Sequence, residues 1–121
     1  MRRWAWLLLA AGAAQACELP GGAAQEIRSP THTVVYRAAP RVGEHFTVEF
    51  AVCPAPERVQ VDAWMPAHRH GMNYAPDVKP LGGGRYRAEG LLFHMPGQWE
   101  FVFVLRADGA TQRLVRGLRV E

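Results

Sequence analysis

The sequence predicts an all-β protein, an immunoglobulin-like β-sandwich of about seven strands. Three observations carry this expectation. Apolar residues recur with period two along most of the chain beyond Ser29, the mark of half-buried strands. Turn residues punctuate these runs at short intervals: Pro54 and Pro56, Pro66, Gly82-Gly83-Gly84, Pro96-Gly97 and Asp108-Gly109. Heptads, long helical periodicity and low-complexity tracts are absent. A small barrel is the alternative. The Cys…Trp…Cys spacing of antibody domains is missing, so the architecture alone is implied.

The N-terminus reads as a secretory signal peptide over residues 1–16. Arg2 and Arg3 form a positive start, Trp4 to Ala14 is an uncharged apolar run, and Ala14-Gln15-Ala16 is a small-x-small cleavage site. The apolar run is well short of the roughly 20 residues needed to span a bilayer. A cleaved signal is therefore preferred to an uncleaved anchor, and the protein is expected to be periplasmic or secreted. Residues 17–121 then form one domain.

Glu18 to Ser29, rich in Gly and Ala, reads as an irregular strap. Thr33 to Arg37 is a short strand. His45 to Cys53 alternates, with Phe46, Val48, Phe50 and Val52 on one face. Arg58 to Met65 follows, with Val59, Val61, Ala63 and Met65 inward and Trp64 on the opposite face. His68 to Asn73 reads as a loop. Ala75 to Leu81, interrupted by Pro76 and Pro80, reads as an edge strand. Arg85 to Phe93 places Tyr86, Ala88 and Leu92 on one side. Gln98 to Arg106 turns Trp99, Phe101, Phe103 and Leu105 inward. Asp108-Gly109 signals a hairpin, and Thr111 to Glu121 is the last strand, bulged at Gly117.

Charge excludes one class of function. The chain has 14 Lys+Arg against 11 Asp+Glu. Loss of Arg2 and Arg3 with the signal nearly balances the two, so nucleic-acid binding loses its main argument. The two cysteines, Cys17 and Cys53, are expected to pair in an oxidising compartment. Lipidation of Cys17 after cleavage is the rival, though Gln15 fits a lipoprotein signal poorly. Free thiols are the third possibility.

The chemistry-bearing residues gather at two strand ends. One cluster runs Met65-Pro66-Ala67-His68-Arg69-His70-Gly71-Met72-Asn73; the other is His94-Met95-Pro96-Gly97. Imidazole binds several transition metals, and thioether sulfur is soft and favours Cu(I). A His-x-His pair in extended backbone puts both rings on one side. Gly71 lets the chain turn and brings Met72 towards the same space. Neither cluster contains an acid, which argues against a zinc hydrolase site. The proposed metal ligands are His68, His70, Met72 and His94, with Met95 as an alternate, and the metal is copper. Met65 continues an apolar face and is expected in the core. His32 and His45 lie apart from both clusters and are expected at the surface. No phosphate loop, nucleophile elbow or Ser-His-Asp set is present, so no enzymatic activity is expected.

The run Ala63 to Met72, with Gly84-Arg85-Tyr86 and Leu92 to Glu100, resembles the YtkA-like domain, a group similar to the periplasmic part of FixH proteins. The resemblance covers Val59 to Leu105. It implies an immunoglobulin-like extracytoplasmic domain associated with copper handling or cytochrome oxidase assembly, and His68, His70, Met72, His94 and Met95 match its His/Met pattern. The chain departs from FixH in lacking a permanent transmembrane helix, which favours a soluble periplasmic protein. Together these readings predict a copper carrier or buffer whose partners are the metal ion and a copper-receiving membrane protein such as an oxidase assembly component. The alternative is an interaction module that docks on a membrane complex or a secreted partner without metal.

Overall fold

The computed structural model describes residues 17–121; the expected signal peptide, 1–16, lies outside the described residues. Nine strands follow in order: β1 Gln25–Arg28, β2 Thr33–Arg37, β3 His45–Cys53, β4 Arg58–Met65, β5 His70–Gly71, β6 Asp77–Gly82, β7 Arg85–Leu92, β8 Gly97–Ala107 and β9 Ala110–Val120. They form two antiparallel sheets, β1-β2-β3-β7-β6 and β5-β4-β8-β9. With β1 set aside, this is the immunoglobulin arrangement, A-B-E-D facing C′-C-F-G.

Strand formation follows from alternation. In β4 every second residue is buried, so Val59, Val61, Ala63 and Met65 enter the core while Trp64 stays 40% exposed. Phe50, Trp99, Phe101 and Phe103 fill the space between the sheets. Tyr36 meets Phe101 edge-on at 5.5 Å, and Phe50 meets Phe103 at 5.3 Å, so aromatic pairs bridge the layers. Each such pair adds about 1 kcal/mol beyond its buried area. Burial pushes the Tyr36 phenol up, and Arg116 partly offsets this.

One irregularity decides which way the later site residues face. Between the Phe46–Leu91 and Val48–Ala88 pairs, β7 carries one residue more than β3. Gly90 sits in this bulge at φ +83°, a conformation glycine adopts without steric cost. The bulge shifts the side-chain phase by one. Leu91 and Phe93 are therefore fully buried, and Leu92 is only half-buried, contrary to the inward face expected of Leu92. His94, one residue beyond Phe93, falls on the outside.

Other departures have local causes. β1 forms where an irregular strap was expected, because its four residues gain a ladder against β2 despite their lack of alternation. The bulge expected at Gly117 is absent: β8 and β9 pair without a break from Gly97–Val120 to Ala107–Ala110. His32, expected at the surface, is 6% exposed. It closes the β1–β2 turn, where its Nδ1 accepts a hydrogen bond from Gln112 Nε2 at 3.1 Å and lies 2.9 Å from the Thr31 hydroxyl.

Cys17 and Cys53 form a disulfide. It ties the N-terminal segment to the end of β3. The same segment wraps the Arg37 guanidinium, whose Nη2 donates to the carbonyls of Leu19, Pro20 and Gly22 at 3.0–3.3 Å. Arg37 Nη1 also donates to Glu49 at 3.3 Å. The planar fork of Arg suits such multiple donation. No helix among the described residues is long and apolar enough to cross a membrane.

Candidate metal centre

The two sequence clusters meet at one pole of the sandwich. After Met65, Pro66–His68 form a single 3-10 turn, closed by Arg69 N–H donating to the Pro66 carbonyl at 3.3 Å. Arg69 then takes a left-handed conformation, φ 53° and ψ 40°. The chain reverses and β5 pairs back onto β4, His70 opposite Met65 and Gly71 opposite Trp64. Opposed residues share a face of the sheet. His70 is thus turned towards the core side with Met65, and Gly71 lies on the outer side with Trp64.

This corrects the expected origin of the His-x-His geometry. His68 lies in the 3-10 turn, and only His70 lies in a strand. Strand alternation therefore does not pair them; the left-handed Arg69 does, leaving the rings 5.6 Å apart.

His94 reaches the same place from the β7–β8 connection. Its ring lies 5.0 Å from that of His70. His70 is half-buried, whereas His68 and His94 are exposed. His70 is therefore the hub, with a neighbour on either side. An imidazole nitrogen bonds a metal at about 2.0 Å, so two rings on one ion stand roughly 5–6 Å apart, centre to centre. Both observed spacings fall in that range.

The floor under these rings is Trp99, fully buried on β8. It stacks on Phe93 at 4.5 Å and meets His94 edge-on at 5.6 Å and His70 at 6.0 Å. Its indole Nε1 donates to the Met95 carbonyl at 3.0 Å, which pins the connection carrying His94 and Met95. The Met65 methyl fills the space a side chain at Gly97 would need, 2.6 Å from the position of that missing Cβ. Trp99 was legible only as a core residue. Its second task, holding a loop through its N–H, has no periodic signature.

His70 Nδ1 lies 3.1 Å from the Gly71 carbonyl. A carbonyl can only accept, so Nδ1 carries the proton and Nε2 of the neutral ring keeps its lone pair. Metal-bound histidines commonly show this pattern, with one nitrogen held by a carbonyl and the other bound to the ion. Met72 and Met95 are half-buried and packed against the core rim beneath the loops. Met65 is core, as expected, at 2% exposure. Among the described residues, no three His, Cys, Asp or Glu side chains already converge on one point. The donors brought together at this pole are imidazole nitrogens, which bind several transition metals.

His45 is exposed, as expected, but it is not remote. It pairs with Leu92 in the ladder, and its ring lies 5.7 Å from that of Tyr74, just beyond Met72. The disulfide stands at the opposite end of the same sheet, since Cys53 continues β3 past the Ala51–Arg85 pair.

Among known protein families, the model described as YtkA-like matches residues 31–103. No curated protein and no solved structure matches the chain.

Proposed function

The chain belongs to the YtkA-like family, and on that premise we propose that it is a periplasmic copper-binding protein that carries or buffers the ion without catalysis. The proposed ligands are His70 and His94, with His68, Met72 and Met95 completing the shell. The family match includes all five positions. The carrying observation is the pair of imidazole spacings around His70, 5.6 Å and 5.0 Å, between two sequence clusters that contain no acid. The half-exposed setting suits an ion that must be received and passed on to a copper-receiving membrane protein.

The test is metal stoichiometry. The purified protein is loaded with Cu(I) or Cu(II), desalted and assayed for bound copper, alongside a His68→Ala/His70→Ala variant. Binding of one ion per chain that disappears in the variant supports the assignment. Equal binding by both proteins would remove it.

A further inference from the structure

The outer face of the β5-β4-β8-β9 sheet is ordered in a way the metal centre does not use. Strand register places its outward residues in rows. From the imidazole pole downward these are Trp64, Glu100 and Gly117; Asp62, Val102 and Val115; Gln60, Val104 and Arg113; then Arg58, Arg106 and Thr111. The acids Asp62 and Glu100 occupy the upper rows, and the arginines Arg58, Arg106 and Arg113 the lower ones. Val102, 4% exposed under its neighbours, and half-buried Val104 sit in the middle of the central strand.

Three features of this face are costly for a solvent-facing sheet. Trp64 and Val115 are each 40% exposed. Arg58 and Arg106 stand directly opposite each other in the ladder, and like charges so placed repel. Among the described residues, no carboxylate lies within ion-pair distance of Arg58, Arg106 or Arg113.

A second copy of the same face covers Trp64 and Val115 and gives Arg106 an opposite charge. Consider a two-fold axis lying in the interface, across the strands between Val102 and Val104. It sets β8 antiparallel over β8 of the other copy. Glu100 then faces Arg106 of the second copy, and Arg106 faces its Glu100. Val102 faces Val104, and Trp64 faces Arg58, a cation–π pairing. This is the self-complementarity that an isologous interface requires. We infer that the chain forms a two-fold dimer through this face. Three strands and four rows provide roughly 400 Å² per copy, below the roughly 800 Å² of a standard interface, so the dimer is a weak, concentration-dependent one.

The dimer leaves the imidazoles free, because His70 lies on the other side of β5 from the Gly71–Trp64 pair. The inference therefore does not depend on copper, and its test is run in chelator.

Sedimentation is measured on the purified protein from micromolar to near-millimolar concentration. The wild type is expected to shift from one chain mass towards two. Glu100→Arg alone and Arg106→Glu alone are each expected to remain monomeric over that range. An equimolar mixture of the two variants is expected to associate again, since each carries the charge the other now needs. Reassociation in the mixture also shows that both variants are folded. A wild type that stays monomeric throughout, single variants that dimerise like the wild type, or a mixture that fails to associate would each overturn the inference.

Discussion

The ring of His94 stands 5.0 Å from that of His70 because Gly90, four residues earlier, adopts φ +83°. Without the extra residue in β7 the alternation would carry Leu92 and His94 inward and put an imidazole among the core aromatics. The glycine therefore decides which side of the sandwich the imidazole reaches.

Replacing Gly90 by Ala tests this link. No heavy atom lies within 4 Å of the added methyl, so crowding plays no part. The cost is conformational, about 1–2 kcal/mol for a left-handed non-glycine residue. Urea denaturation should show that loss. Copper affinity should fall as well, because the His94 phase depends on the bulge.

His70 and His68 should not contribute equally. His70 has a ring on either side and a carbonyl fixing its tautomer, whereas His68 is exposed with one neighbour. His70→Ala is expected to weaken copper binding at least about tenfold, the lower range for disturbing even an outer-shell partner of a ligand. His68→Ala should weaken it less. Competition titration with a chelator of known affinity measures both. Protons compete for the same nitrogens, so affinity should fall as the solution is acidified.

Trp99→Phe separates packing from loop anchoring. The ring still stacks on Phe93, but the Met95 carbonyl loses its donor. Losing this hydrogen bond and some ring volume should cost about 1–3 kcal/mol. The His94–Met95 connection should loosen, which amide exchange at Met95 and Gly97 would report as faster than in the wild type.

The disulfide should matter for stability and not for metal. Its closure spans a sequence separation of 36. The chain-entropy model assigns such a loop about 3–4 kcal/mol. A Cys17→Ser/Cys53→Ser variant should unfold at correspondingly lower urea concentration while binding copper as tightly as the wild type. A large loss of affinity would mean that the two poles are coupled.

The sequence was most informative where burial and alternation agree. β2, β3 and β4 run over the residues expected: β3 and β4 alternate and end at prolines, Pro54 and Pro66, and β2 is a short apolar run with Val34, Val35 and Tyr36 all buried. β6 starts at Asp77, two residues later than expected, because Pro76 precedes it without a ladder partner. β1 and β5 were illegible. Residues Gln25–Arg28 do not alternate and gain their strand from β2, and β5 is two residues long. The site was legible as two clusters that share a pole. The hub role of His70, the Arg69 reversal and the Trp99 floor arise from contacts between distant segments. His32 was misplaced because its burial depends on Gln112 across the fold.

Val120 pairs with Gly97, immediately after Met95 and Pro96, while Cys17 joins β3 at the far end of the molecule. The two termini of the described domain are thus unequal attachment points. An affinity tag or surface linker fused after Glu121 would crowd the imidazoles, and a polyhistidine tag there would contribute metal ligands of its own. The same fusion ahead of Cys17 would leave that pole unobstructed.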